Sequence, residues 1–200
     1  MTVATPPRAR QPLLLVAAGT AALALGLAGA ALTPVAAAWA PAALHVLLVA
    51  LVAAGGLWLA ILDARTHRLP NRIVLPFAIA IAGVVAALAI ATTDPGRLLL
   101  ALAAGAGMAL VYLVLGLIGA VGFGDVKLAG ALGIFLGWIS PAAVIAGFVL
   151  AYVLATPHAL VILIGRLRGR GRRHLPFGPY MIAGALLAAA IVPILGAGPS

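Results

Sequence analysis

The chain has 200 residues, of which 66% are hydrophobic and only 8% are charged, and its net charge is +9. Soluble domains carry about 25% charged residues, so these side chains are too few to cover a water-facing surface. The composition excludes a soluble domain and predicts an all-α fold, a polytopic membrane helix bundle. Continuous apolar runs also argue against a membrane barrel, whose strands alternate over ~10 residues.

The positive charge is spread over short segments between the apolar runs, as in the cytoplasmic loops of membrane proteins. This distribution predicts contact with membrane lipid and no nucleic-acid partner. The chain has no cysteine, which excludes disulfides and thiolate metal sites.

Seven apolar segments are predicted to cross the membrane. They are 12–32, Ala42–Leu62, Ile73–Ala91, Leu98–Val121, Val126–Ile139, Ala142–Ile164 and Tyr180–Leu195. The uncharged stretch Thr33–Pro41 is expected to be a turn. The first segment exceeds the 7–15 residues usual for the apolar part of a signal peptide, which favours a retained helix over a cleaved signal.

The basic residues indicate how this topology is oriented. With the N-terminal tail inside, eleven of the 12 basic residues lie on one side, and only Arg97 lies on the other. This asymmetry predicts a cytoplasmic N-terminus. The three acidic residues then divide: Asp63 and Asp125 lie at the cytoplasmic ends of their helices, and Asp94 lies on the opposite face.

The fifth segment is short for a membrane span. From Val126 to Ile139 a helix covers only ~21 Å, against a hydrocarbon core of ~30 Å. Either the bilayer thins there or the helix continues upstream through Asp125, and in both cases Asp125 lies at the membrane edge. We expect Gly122 and Gly124 to allow a tight turn or a close approach. Further glycines are expected to let helices pack closely; they are Gly55, Gly56, Gly130, Gly133 and Gly137.

The residue types leave few chemistries open. There is no Cys nucleophile, no Ser-His-Asp set, no Glu for a zinc-peptidase motif and no metal-ligand spacing among the four histidines. The sequence therefore predicts no metal and no cofactor. Two carboxylates on one side of the bilayer can share a proton, so that one activates water and the other polarises a carbonyl.

Structural roles for both aspartates stay open at this level. Asp63 could cap its helix or pair with a neighbour such as Arg65, Arg68 or His67. Asp125 could pair with Lys127.

Three motifs in order resemble the prepilin peptidases, the bacterial type IV leader peptidases of the G-x-G-D group of membrane aspartic proteases. They are Asp63 with Leu69-Pro70-Asn71, then Gly122-Phe123-Gly124-Asp125-Val126-Lys127, then Pro176-Phe177-Gly178-Pro179. The resemblance covers about residues 42–195. It implies a catalytic pair, Asp63 and Asp125, with the other motif residues in support.

The resemblance also implies a substrate and a place. This family cleaves the basic leader of prepilin or pseudopilin precursors after a glycine, at the cytoplasmic face of the bacterial inner membrane. Residues 42–200 would form the membrane-embedded aspartic peptidase domain, and residues 1–41 a tail with one extra helix. Longer members carry an N-terminal cysteine-containing domain linked to methylation. This cysteine-free chain resembles the short form associated with Tad/Flp-type pili, and methyltransferase activity is not expected.

Two alternatives remain in view. Signal-peptide-peptidase-like intramembrane proteases share G-x-G-D, but they place Tyr before their first aspartate and end in Pro-Ala-Leu. Here Leu62 precedes Asp63, and the late motif is Pro-Phe-Gly-Pro. The other alternative is a non-catalytic transporter or scaffold. A transporter would tend to have ionisable groups near the midplane and internal repeats, and neither is visible.

Overall fold

Six α-helices make up the part of the chain that the computed structural model describes, which is residues 34–66, 71–119, 121–168 and 175–196 together with Thr20. The helices are α1 (Pro34–Thr66), α2 (Asn71–Thr92), α3 (Pro95–Leu117), α4 (Phe123–Ile139), α5 (Pro141–Leu167) and α6 (Gly178–Gly196). These ranges contain no strand, so the predicted all-α fold is confirmed. Apart from Thr20, the first predicted span, 12–32, lies outside the described residues.

Five of these helices, all except α4, are long and apolar enough to cross a membrane. Their outward faces carry large exposed apolar side chains, such as Leu110 on α3 and Val161 on α5, which only lipid would solvate favourably. The chain is therefore a multi-pass membrane protein. Helix α4 has 17 residues and spans roughly 26 Å. It lies at the centre of the bundle, in contact with α2, α3, α5 and α6.

The predicted turn at Thr33–Pro41 is wrong, because α1 begins at Pro34 and continues through Pro41. Alanines on both sides of Pro41 have the highest helix propensity, and they offset the hydrogen bond that proline removes. The Pro41 carbonyl is also engaged by His45, whose Nδ1 lies 2.7 Å away.

Helix α3 has a capping residue at its start and a left-handed glycine just after its end. The Asp94 side chain accepts a hydrogen bond from the Arg97 backbone N–H at 2.9 Å, and Pro95 occupies the first helical position. The helix ends at Leu117 because Gly119 adopts a left-handed φ of 76°. The predicted end at Val121 was about one turn too late.

The predicted close packing through glycine is confirmed where α4 meets α3. A Cβ atom built on Gly133 would lie 2.9 Å from the carbonyl oxygen of Ala104, and one on Gly137 would lie 2.9 Å from the Cα atom of Ala101. The backbones of α3 and α4 can pack this closely only because Gly133 and Gly137 have no side chain.

On both α1 and α4, an aspartate lies on the buried face of the helix. On α1, Leu48, Val52 and Leu59 are buried, and Asp63 follows Leu59 by four residues, which is one turn along the same face. On α4, Asp125 precedes the buried Leu128 and Ala129 by three and four residues. Helical periodicity therefore turns both carboxylates toward the bundle interior.

The other end of α4 is capped by Arg97. Its Nε donates to the Trp138 carbonyl at 2.7 Å, and its Nη2 donates to the Ile139 carbonyl at 3.2 Å. These bonds satisfy carbonyls that a helix C-terminus leaves without partners. Asp94, three residues from Arg97, consequently lies at the opposite end of α4 from Asp125.

Candidate active site

Asp63 and Asp125 are the buried charged residues of the described chain, with 5% and 9% of their surfaces exposed. Asp63 lies in the last turn of α1 and Asp125 in the first turn of α4. Their carboxyl groups are near enough to interact electrostatically. Asp94 is exposed, at the far end of the bundle. The fold thus places Asp63 and Asp125 at the same end of the bundle, as the predicted membrane topology required.

The N-terminus of α4 holds the Asp125 carboxylate. Its Oδ2 accepts a hydrogen bond from the Gly122 backbone N–H at 3.2 Å, and the Asp125 N–H donates to the Gly122 carbonyl at 3.0 Å. This reciprocal arrangement suits an acid in the first turn, where the helix dipole favours negative charge. Gly122 has an ordinary extended conformation, φ −79° and ψ 151°. Of the two roles expected for Gly122, a tight turn or a close approach, neither is required, since a Cβ atom there would meet Asp125 Oδ2 only at 3.5 Å. Gly124 lies inside the first turn of α4.

The N-terminus of a second helix, α6, holds the Asp63 carboxylate. The Gly178 backbone N–H donates to Asp63 Oδ2 at 3.0 Å, and this bond is buried. A Cβ atom built on Gly178 would lie 2.8 Å from the same oxygen, so only glycine lets the amide come this close. Pro179 follows at a position where the first turn needs no N–H donor.

Phe177 holds the start of α6 in place. Its ring is buried, and its carbonyl accepts hydrogen bonds from the backbone N–H groups of Tyr180 at 3.1 Å and Met181 at 3.2 Å. Pro176 is half-buried just before it. The Pro176–Pro179 motif thus begins α6, and it also places the Gly178 amide within hydrogen-bond distance of Asp63.

The remaining motif residues are Leu69, Pro70, Asn71 and Lys127. Leu69 and Pro70 lie outside the described residues, and Asn71 opens α2 without a described side chain. Lys127 is exposed on the first turns of α4. Their support of the site stays a prediction.

An aromatic cluster next to the Gly178–Asp63 hydrogen bond was not foreseen from the sequence. It consists of Tyr112 on α3, Phe148 and Tyr152 on α5, and Phe177 before α6. Ring centroids are 5.0 Å apart for Tyr152 and Phe177 and 6.2 Å apart for Tyr112 and Phe177. No motif links these positions, and only the packing of three helices brings them together.

The surroundings of the carboxylates favour a single negative charge. Burial and mutual repulsion both disfavour the doubly ionised state, whereas the two amide donors stabilise a carboxylate. A pair that holds one proton consists of one carboxylate and one carboxylic acid, the combination that general acid–base chemistry requires. Among the residues that the structure describes, no three His, Asp, Glu or Cys side chains cluster as metal ligands would.

The fold and site together define a multi-pass helical membrane protein with a buried carboxylate pair at one end of its spans. Residues 50–195 match the type IV leader peptidase family, and the chain belongs to that family. It is a membrane peptidase, and the matched region includes Asp63, Asp125 and the Pro176–Pro179 motif. This membership favours the leader-peptidase interpretation over the transporter and signal-peptide-peptidase alternatives. No match was found among curated proteins or solved structures.

Proposed function

We propose that this protein is an aspartic endopeptidase that removes the leader peptides of type IV prepilin-like precursors, with Asp63 and Asp125 as its catalytic pair. The observation that carries the proposal is that two buried acids, one on α1 and one on α4, lie at the same end of a membrane bundle, near enough for their charges to interact. Burying one acid in an apolar chain is costly, and a second acid buried at the same end of the bundle adds to that cost, so a structural role alone accounts poorly for the pair.

The chemistry follows from one proton shared by two carboxyl groups. The ionised carboxylate takes a proton from a water molecule while the water oxygen attacks the scissile carbonyl carbon. The protonated partner gives its proton to the carbonyl oxygen, which yields a tetrahedral diol. When the diol collapses, the C–N bond breaks, the departing amine takes the proton held by the first carboxyl group, and a diol hydroxyl gives its proton to the second as the new carboxyl C=O forms. Each carboxyl group thus returns to its starting state, and the pair again holds one proton.

The charges around the site support a cytoplasmic location. Four basic residues that are exposed in the structure lie at the same end as the aspartates, and they are Arg65, Arg72, Lys127 and Arg168. Arg97 lies at the opposite end. The positive-inside rule assigns the end with more basic residues to the cytoplasm of a bacterial inner membrane. Prepilin leaders, or pseudopilin leaders such as those of Tad/Flp-type systems, would be cleaved there, near anionic headgroups.

Aspartate-to-asparagine variants test the mechanism directly. The full chain is co-expressed with a candidate prepilin, and removal of the leader is followed by the mobility shift of the pilin. Asp63→Asn and Asp125→Asn should each abolish cleavage, because an amide cannot exchange the shared proton.

Asp94→Asn is the matched control. It makes the same chemical change at an exposed helix cap on the opposite end, so it should leave cleavage intact. Full cleavage by either Asp63→Asn or Asp125→Asn would refute the proposed mechanism.

A further inference from the structure

At the end of the bundle opposite the aspartates, a hydrogen bond joins α1 to α4. The indole Nε1 of Trp138, in the last turn of α4, donates to Nε2 of His45 on α1 at 3.1 Å. Trp138 is 1% exposed, whereas His45 is exposed, so protons from that side of the membrane can reach its ring. The bond connects the two helices that carry Asp63 and Asp125.

The two partners of His45 define its protonation state. Nδ1 lies 2.7 Å from the Pro41 carbonyl oxygen, which can only accept a hydrogen bond, so Nδ1 carries a hydrogen. The Trp138 indole can only donate, so Nε2 must be the acceptor. Only the neutral ring satisfies both partners. A second proton on Nε2 would face the indole N–H, and the bond between α1 and α4 would be lost.

Arg97 brings the start of α3 to the same indole. Its guanidinium carbon lies 5.0 Å from the centre of the Trp138 ring, and its two hydrogen bonds to the last carbonyls of α4 hold it there. Among the described residues, the charged groups at this end are Arg97 and Asp94, both at the start of α3, and α2, α5 and α6 contribute none there. A positive charge on His45 would share Trp138 with the guanidinium, and like charges repel.

The His45–Trp138 bond bears on how far α4 lies along α1. Asp63 follows His45 by 18 residues, which is five complete turns, so both side chains leave the same face of α1. On α4, Asp125 is in the first turn and Trp138 in the last. Helices are stiff along their axes, so a shift of α4 against α1 at the Trp138 end moves Asp125 relative to Asp63.

We propose that His45 and Trp138 are positioning residues for the aspartate pair, and that the neutral His45 ring holds α4 at the depth where Asp125 meets Asp63. Protonation of His45 breaks the bond and lowers activity, so the side of the membrane opposite the site reports its acidity to the site. This inference rests on the proposed catalytic role of Asp63 and Asp125.

Replacing the exposed His45 tests the proposal with little effect on packing. The full chain is purified in detergent and assayed with a synthetic peptide that carries a basic leader, a glycine and the apolar start of a prepilin. His45→Leu should lower kcat about fivefold, the effect of losing one net hydrogen bond. KM should stay within about twofold, because His45 does not touch the peptide. His45→Gln should retain kcat, since its amide oxygen can accept from Trp138.

A double-variant cycle shows whether His45 acts through Trp138. Trp138→Phe removes the N–H donor and keeps an aromatic ring. In a chain that already carries Trp138→Phe, His45→Leu should cause no further loss of kcat. A second fivefold loss would refute the pairing.

The dependence of kcat on pH separates positioning from simple stability. The bond is present while His45 is neutral and is lost as the pH falls through the range in which histidine gains a proton, about 8 to 5. Glutamine does not titrate, so the ratio of kcat for His45→Gln to kcat for the original chain should rise about fivefold across this range. Contributions of Asp63 and Asp125 to the profile cancel in this ratio.

Trp138 fluorescence follows the bond without relying on activity. Trp39→Phe and Trp58→Phe replace the other two of the three tryptophans, both of which are exposed. A protonated imidazole quenches a neighbouring indole, so emission should fall with pH in this chain and stay constant once His45→Gln is added. Constant emission in both chains would refute the titration of the bond.

His158→Gln is the matched control. The Nδ1 atom of the exposed His158 lies 2.6 Å from the Tyr180 hydroxyl, so this pair joins α5 to α6, and neither helix carries an aspartate. The kcat ratio of this variant to the original chain should not change with pH. If His45→Leu keeps full kcat, or the His45→Gln ratio is also flat, while Asp63→Asn and Asp125→Asn are inactive, the positioning role is refuted and the catalytic pair stands. Activity in the two asparagine variants would instead refute the proposed function.

Discussion

Gly178 lies so close to Asp63 that its position has no room for a side chain. Its amide reaches Asp63 across 115 positions of sequence, and the space that a Cβ atom would need is occupied by the carboxylate. Its backbone does not require glycine, because Gly119 is the glycine with positive φ among the described residues. The restriction is therefore one of space alone, which makes it easy to test.

Gly178→Ala should lower kcat for leader cleavage about 100-fold, the cost expected when a catalytic group moves by about 1 Å. Helix α6 itself should tolerate the change, because alanine favours helix more than glycine does. Steady-state kinetics with the prepilin peptide measure the loss, and thermal unfolding checks that the fold remains.

Gly83→Ala on α2 provides the comparison, since a Cβ atom there meets nothing within 4 Å. It should be fully active and slightly more stable. A fully active Gly178→Ala variant would show that the Gly178–Asp63 contact does not matter to the chemistry.

The elements assemble around α4. It is the shortest of the six helices and has no long lipid-facing surface, since only Phe123 and Lys127 among its residues are exposed. Its first turn carries Asp125, and its last carbonyls bind Arg97. Contacts at both ends of α4 thus fix how far Asp125 lies along the helix axis. The glycines of α4 fix the distance between α4 and α3.

Gly133→Val should push α3 and α4 apart, because a Cβ atom there would lie 2.9 Å from backbone atoms of Ala104 and Gly105. Overpacking of this kind lowers the free energy of unfolding by about 2 kcal/mol. The midpoint of thermal unfolding in detergent should fall, and cleavage should fall with it.

Gly107→Val makes the same change on α3 at a position with no atom within 4 Å of its Cβ. Its midpoint should stay near that of the original chain, so equal midpoints for the two variants would contradict the proposed packing role of Gly133.

At the scale of the whole molecule, the ends of the bundle differ in charge, and this difference predicts its orientation. The chain contains no cysteine, so a single introduced cysteine is a unique label site. In spheroplasts, a membrane-impermeant maleimide should label Gly96→Cys and leave Arg168→Cys unlabelled until the membrane is opened. Both positions are exposed, at opposite ends of the spans. The reverse pattern would place the aspartates outside and contradict the proposed cytoplasmic cleavage.

Helix boundaries were predictable wherever composition changes sharply. Four predicted spans differ from the observed helices by no more than three residues at either end; they are Ile73–Ala91, Val126–Ile139, Ala142–Ile164 and Tyr180–Leu195. The misses came where local chemistry overrides hydropathy. Alanines carried α1 through Pro41, and the left-handed Gly119 ended α3 early. The retained first helix and the division at residue 41 stay predictions.

The sequence alone determined that lipid is the solvent of this protein and that two of its three aspartates share one side. Both conclusions rest on composition, span length and charge, which are local properties of the chain. Two contacts follow from the tertiary structure alone: the Gly178 amide binds Asp63, and the rings of Tyr112 and Tyr152 pack against Phe177. These contacts join different helices, and the rotation and separation of packed helices depend on all of their neighbours at once.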